Sequence, residues 1–136
     1  MRMLAALAFL LGFASGSVSG AAEIPPSELV NLRDAFVVAL AAKDVHALAA
    51  LTRFPVENHV YGGPEKISRG AFAKYLGTFG AWEMAGCLKK AKLDRDTRDT
   101  KPLPTWSISC PDGNNLFHFS RDGNRWVFSA FENIGE

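Results

Sequence analysis

His59 and Glu57 stand two residues apart in the stretch 56–61, so on a strand both side chains project from one face. A histidine oriented by a carboxylate can serve as a general base, provided that substrate comes within hydrogen-bonding reach. The plainer reading is a polar strand rim. The three histidines, His46, His59 and His118, are scattered and show no short-range pairing with one another. Tyr75 offers a phenol, more simply a core ring whose hydroxyl reaches the rim than a catalytic acid. Cys87 and Cys110 are the only cysteines, and no histidine lies at ligand spacing from them, so a zinc site is a poor fit. No catalytic residue, metal site or cofactor is assigned from these types and spacings.

The N-terminal residues say in which compartment such chemistry would run. Arg2 is the only charge before Glu23, Leu4 to Ala14 is an unbroken apolar and small run, and small residues follow to Ala22. That order predicts a signal peptide over 1–22, with cleavage near Gly20 to Ala22 and a periplasmic or secreted product. The apolar block is too short to span a bilayer, which takes about 20 residues. An exported chain with an even cysteine count predicts a Cys87–Cys110 disulfide. The remainder, 23–136, is long enough for one domain. Without Arg2 the basic and acidic residues balance at 14 each, from 15 and 14 in the whole chain. A neutral surface argues against nucleic acid and against electrostatic attachment to anionic membranes.

The elements that must position these side chains follow from periodicity. Pro25-Pro26-Ser27 predicts a helix start capped by Ser27, with Leu29, Leu32, Phe36 and Leu40 as its buried stripe. Asp44 is placed to cap a second short helix ending before Pro55. The stretch 56–61 reads as a strand. Ser68 is placed to cap a third helix carrying Phe72, Tyr75, Leu76 and Phe79. From Gly86 the period becomes two, predicting strands over 86–93, 103–110, 114–121 and 124–132, with a solvated charged loop over 94–101 and the Lys89–Lys92 run as a strand edge.

Asp112-Gly113 and Asp122-Gly123 are strong hairpin signals. Two-residue loops there pair Ile108 with Phe117, Trp106 with Phe119, Phe119 with Trp126 and Phe117 with Phe128. Both hairpins then place Trp106, Ile108, Phe117, Phe119, Trp126 and Phe128 on one face. Ser107, Ser109, His118, Ser120, Arg125 and Ser129 fall on the other, interrupted by Leu116, Val127 and Phe131. His118 is therefore expected to be solvated and cheap to truncate. Joining Cys87 to Cys110 as strand partners sets Ala91 opposite Trp106. Lys89 and Asn115 are the only polar groups expected on the aromatic face.

Lys43-Asp44, Leu48-Ala49-Ala50-Leu51, Phe54-Pro55-Val56, Ile67-Ser68, Phe72-x-x-Tyr75-x-x-x-Phe79 and Asn124-Arg125-Trp126-Val127-Phe128 together resemble the NTF2-like (SnoaL-like) superfamily, in its small exported bacterial branch of unknown function. The resemblance spans roughly Ser27 to Phe131 and implies an α+β cone, three N-terminal helices packed on a curved, mainly antiparallel sheet. Such cones host ligand binders, interaction modules and enzymes. The leading expectation is a non-catalytic binder of a small apolar or aromatic molecule, lined by Trp106, Phe117, Phe119, Trp126, Phe128, Tyr75 and His59. The alternatives are a module that binds or inhibits another exported protein, and a hydrolase or lyase using His59. The partners implied are thus a small apolar molecule, another exported protein or, in a homodimer, a second copy, without nucleic acid and without membrane insertion.

Overall fold

The computed structural model describes residues 24–111 and 113–135. The predicted signal peptide and Asp112 of the first hairpin turn lie outside the described residues. Helix α1 (Ser27–Ala41) follows Pro25-Pro26 and buries Leu29, Leu32, Phe36 and Leu40 as the helical period requires. Its cap position is Pro26, so Ser27 is the first helical residue and not the cap. Helix α2 (Val45–Ala50) is capped as expected: the Ala47 amide donates to Asp44 Oδ1 at 3.0 Å. Ser68 Oγ accepts from the Ala71 amide and caps a 3-10 turn (Arg69–Ala71) that leads into α3 (Phe72–Phe79).

Gly80, at φ +79°, ends α3 and opens a further helix, α4 (Ala81–Leu88). The described residues thus hold four α-helices instead of the three expected, and the strand predicted over 86–93 is not there. Ala81, Ala85 and Leu88 are the buried positions, a helical spacing that Gly86 within the helix and the lysine run beyond it obscured. Lys89 and Lys90 are exposed beyond the helix end and edge no strand.

Strands β1 (Thr52–His59), β2 (Lys66–Ile67), β3 (Asp94–Arg95), β4 (Trp106–Ser109), β5 (Asn115–Asp122) and β6 (Arg125–Asn133) form one sheet in the order β2-β1-β6-β5-β4-β3. The β1–β6 pair is parallel and the other neighbours are antiparallel. The β1 strand starts earlier and ends sooner than the expected 56–61. Its Val56 and Asn58 are buried, while Glu57 and His59 project from the opposite face.

The β4–β5 register is the one expected, with Trp106 opposite Phe119 and Ile108 opposite Phe117. The β5–β6 register differs by two residues. Gly123 and Asn124 are the turn residues, Asp122 pairs with Arg125, and Phe119 meets Phe128 instead of Trp126. Gly123 supplies the positive φ that this turn needs at its first central position. A shift of two preserves the faces, so Trp126 and Phe128 stay inside. A bulge at Ser129 then reverses the alternation: His118 meets Ala130, and Phe131 arrives opposite Phe117 on the inner face instead of the outer one.

Phe36 sits at the centre of the core, with ring centroids 5.5, 5.4 and 5.0 Å from Phe117, Phe119 and Phe128. Phe131 stands 4.7 Å from Phe79 and 5.0 Å from Phe128. Cys87 and Cys110 are disulfide-bonded, Cα atoms 5.6 Å apart, which ties α4 to the residue after β4. The bond joins a helix to a strand end and not two strands. Arg95, not Ala91, lies opposite Trp106.

Candidate functional site

The sheet face turned away from the helices carries a cavity of about 350 Å³. Its floor comes from β5 and β6, which present His118, Ser120, Ser129, Ala130 and Glu132. Glu132 reaches this face because of the bulge; an unbroken alternation from Phe128 would have turned it inward. On one side β1 brings Glu57 and His59, whose register partners are Ala130 and Glu132. On the other side the β3–β4 connection folds over the sheet and adds Asp96, Arg98 and Thr105.

That connection is the stretch expected to be a solvated loop, and its own charges shape it. The Asp96 amide donates to the Thr105 carbonyl at 2.8 Å. The Asp99 carboxylate accepts from the amides of Lys101 and Thr105 at 3.0 and 2.9 Å, and these bonds hold its pKa below the usual range. Arg98 closes the wall. Its Nε and Nη2 donate to Asp96 at 3.0 and 3.2 Å, and its Nη2 and Nη1 to Glu132 at 3.1 and 3.4 Å. The guanidinium is raised above its ordinary pKa by those two carboxylates.

His118 is buried, its side chain 6% exposed, and not solvated as expected; it shares the cavity with Asp96, Arg98 and Thr105 of the folded-over connection. Burial pushes its pKa below the ordinary value, against the opposing pull of Glu132. Burial works against the charge of Glu132 too, but hydrogen bonds and charges from Arg98 and His118 outweigh it and lower its pKa. Near neutral pH the pair is therefore a neutral imidazole beside a carboxylate, with Nε2 3.2 Å from Oε1. The shared hydrogen then belongs on Nε2, which leaves the lone pair on Nδ1. That Nδ1 is buried and has no hydrogen-bond partner among the described residues. Ser120 Oγ and Ser129 Oγ lie 2.5 Å apart, and Ser129 Oγ donates to the His118 carbonyl at 3.3 Å.

His59 and Glu57 do come together, Nε2 to Oε2 at 3.4 Å, with both side chains more than half exposed. They face away from the helical core and into the polar cavity. Two histidine–carboxylate pairs therefore share one site. Among the described residues, no three His, Cys, Asp or Glu side chains converge as metal ligands.

The aromatic residues expected to line a ligand are elsewhere. Trp106, Phe117, Phe119, Trp126 and Phe128 are buried against the helices, and none of them lines this cavity. Tyr75 is half-buried; its hydroxyl donates to Asn58 Oδ1 at 2.9 Å, and burial raises its pKa in spite of that bond. Its ring borders a separate open groove of about 260 Å³ between β2 and α3, with Lys66 and Lys74 at the rim. Lys89 is exposed, and Asn115 is engaged through a bond from its Nδ2 to the Phe79 carbonyl at 3.0 Å.

Sequence reasoning missed the pairing of His118 with Glu132. The signal was present: inner-face residues at 126, 128 and 131 break a strict period of two, and such a break marks a bulge.

No known family model matches the sequence, and no curated protein matches it. Solved structures do. An NTF2-like protein of unknown function from Shewanella oneidensis is 13% identical, with 80% of this chain and 98% of that one covered at a TM-score of 0.46. A second, from Pseudomonas putida, is 13% identical, with 78% and 82% covered at 0.41. A DUF4783 family protein from Bacteroides ovatus is 12% identical, with 85% and 100% covered at 0.38. The chain's own strand order and helix packing form the α+β cone expected of it, and proteins it is similar to in this respect are NTF2-like.

Proposed function

We propose that this is an exported, non-catalytic binder of a small polar molecule, and that the ligand sits on the outer sheet face. The observation that carries this reading is the outer-face cavity, in which nine of the ten lining residues are polar or charged. Its volume is near the lower end for small-molecule sites, roughly 300–1,000 Å³. Export is supported by the order of charge, apolar block and small residues in 1–22, and by the disulfide. A ligand among the aromatics would have to displace interlocked rings. Truncating any of these rings would itself cost about 3–5 kcal/mol.

Two probes read the two places separately. Proton NMR follows the ring resonances of His59 and His118 in the cavity, and emission follows Trp106 and Trp126 in the core. Titration with small polar compounds should move the histidine resonances saturably, while apolar aromatic compounds leave tryptophan emission unchanged. A saturable emission change without any histidine shift would return the ligand to the cone interior.

The enzyme reading keeps one specific observation, the 3.4 Å contact of His59 with Glu57 beside the cavity. Turnover of an ester, glycoside or phosphoester that disappears in His59→Ala would put that reading first.

A further inference from the structure

We propose that the ligand of the outer-face cavity is a small organic cation carrying a primary ammonium group. This rests on the reading of that cavity as the ligand site and names the ligand's chemistry.

The charge balance is the first ground. Glu57, Asp96 and Glu132 line the cavity against a single guanidinium, Arg98, an excess of two negative charges with the histidines counted neutral. Charges of one sign lining a concave site concentrate ligands of the other sign.

The second ground is which hydrogen-bonding capacity is already used. Arg98 spends all three guanidinium nitrogens on Asp96 and Glu132. An anionic ligand finds one unused Nη1 hydrogen there, on a guanidinium already held by two carboxylates that repel it. A donor-rich ligand meets no such obstacle. The Glu57 carboxylate meets His59 at 3.4 Å and is 54% exposed.

The third ground is independent of charge. His118, more than nine-tenths buried on the cavity floor, keeps an Nδ1 acceptor with no partner among the described residues; the atom is closed to solvent, so a ligand donor reaches it only as the groups over it move aside. A buried acceptor left unpaired is costly, and what it lacks is a hydrogen-bond donor. An ammonium carries three donors and no acceptor.

The test is a matched series on the full exported protein: n-butylammonium, butyrate and n-butanol, followed by the ring resonances of His59 and His118. Butylammonium should shift both rings saturably at concentrations where the other two leave them unmoved. Glu57→Lys should weaken that binding about tenfold, as reversing one charge a few ångströms away implies. Glu57→Gln should weaken it about threefold, the scale of one exposed pair, and serves if the reversal disturbs folding. If butyrate or butanol shifts the rings as strongly, the cation is wrong while the cavity remains the ligand site. If none of the three moves either ring, both the cation and the site are wrong. Butylammonium binding that ignores both Glu57 variants would also overturn the proposal.

Discussion

His118 joins two facts that seldom coexist in one side chain: it is buried, and one of its ring nitrogens has no partner among the described residues. Burial lowers its folded-state pKa below the ordinary 6.5. The unfolded chain therefore takes up that proton first as pH falls. This part of the stability is whole above about 6.5 and is lost as pH falls towards the folded-state value. Asp96 and Glu132 are also held below their ordinary values, so their contributions act in the same direction at more acid pH. Denaturant unfolding followed from pH 8 to 5 should show stability falling below 6.5 in the wild type and a flatter course in His118→Gln, which retains a donor towards Glu132. Parallel profiles would mean that His118 does not titrate differently in the two states. His118→Ala should cost about 1–3 kcal/mol, because it empties a buried site and takes one donor from Glu132, which Arg98 alone then holds; a surface histidine would cost less than about 0.5.

The elements show how much of this fold was legible beforehand. Asp112-Gly113 placed β4 and β5 in register, because a two-residue loop leaves no slack. Asp122-Gly123 misplaced β6 by two because glycine took the first turn position instead of the second; the even shift spared the faces. The bulge at Ser129 was not read, and with it went Phe131, Glu132 and the cavity floor. Helix α4 was not read either, since eight residues ending in glycine, cysteine and leucine, with lysines just beyond, carry little period of any kind. The stretch over 94–101 looked solvated because it is charged, yet Arg98 within it pairs with Asp96 and with Glu132. Arg98 is exposed at 65%, so Arg98→Ala should change global stability by no more than about 1 kcal/mol. It should instead speed amide exchange in 96–105 while leaving the amides of α1 protected. Exchange unchanged in that segment would show that the Asp99 bonds alone hold the wall. Phe36→Ala, at the crossing of α1 with β5 and β6, should cost about 3–5 kcal/mol in the same denaturation assay.

On the scale of the whole molecule, the aromatic core and the polar cavity occupy opposite faces of one sheet, and the disulfide anchors the helical side to that sheet. Cys87 ends its reach on α4, and Cys110 lies between β4 and the turn into β5. The link joins residues 23 apart in sequence and closes a loop that contains Leu88 at the end of α4, β3, the cavity wall and β4. Closing a loop of that length in the unfolded chain contributes about 3 kcal/mol. The wall over 96–105 therefore hangs between a helix and a strand that the bond holds together. Removing the bond should loosen the cavity before it loosens the core. The paired variant Cys87→Ser with Cys110→Ser should lose about 3 kcal/mol on denaturation, with faster exchange in 96–105 appearing first. Under denaturing, non-reducing conditions the exported wild type should show no titratable thiol, and its N-terminus should fall between Ala21 and Glu23. Two reactive thiols in that material would remove the disulfide and with it the structural support for export; an N-terminus still at Met1 would remove the signal peptide.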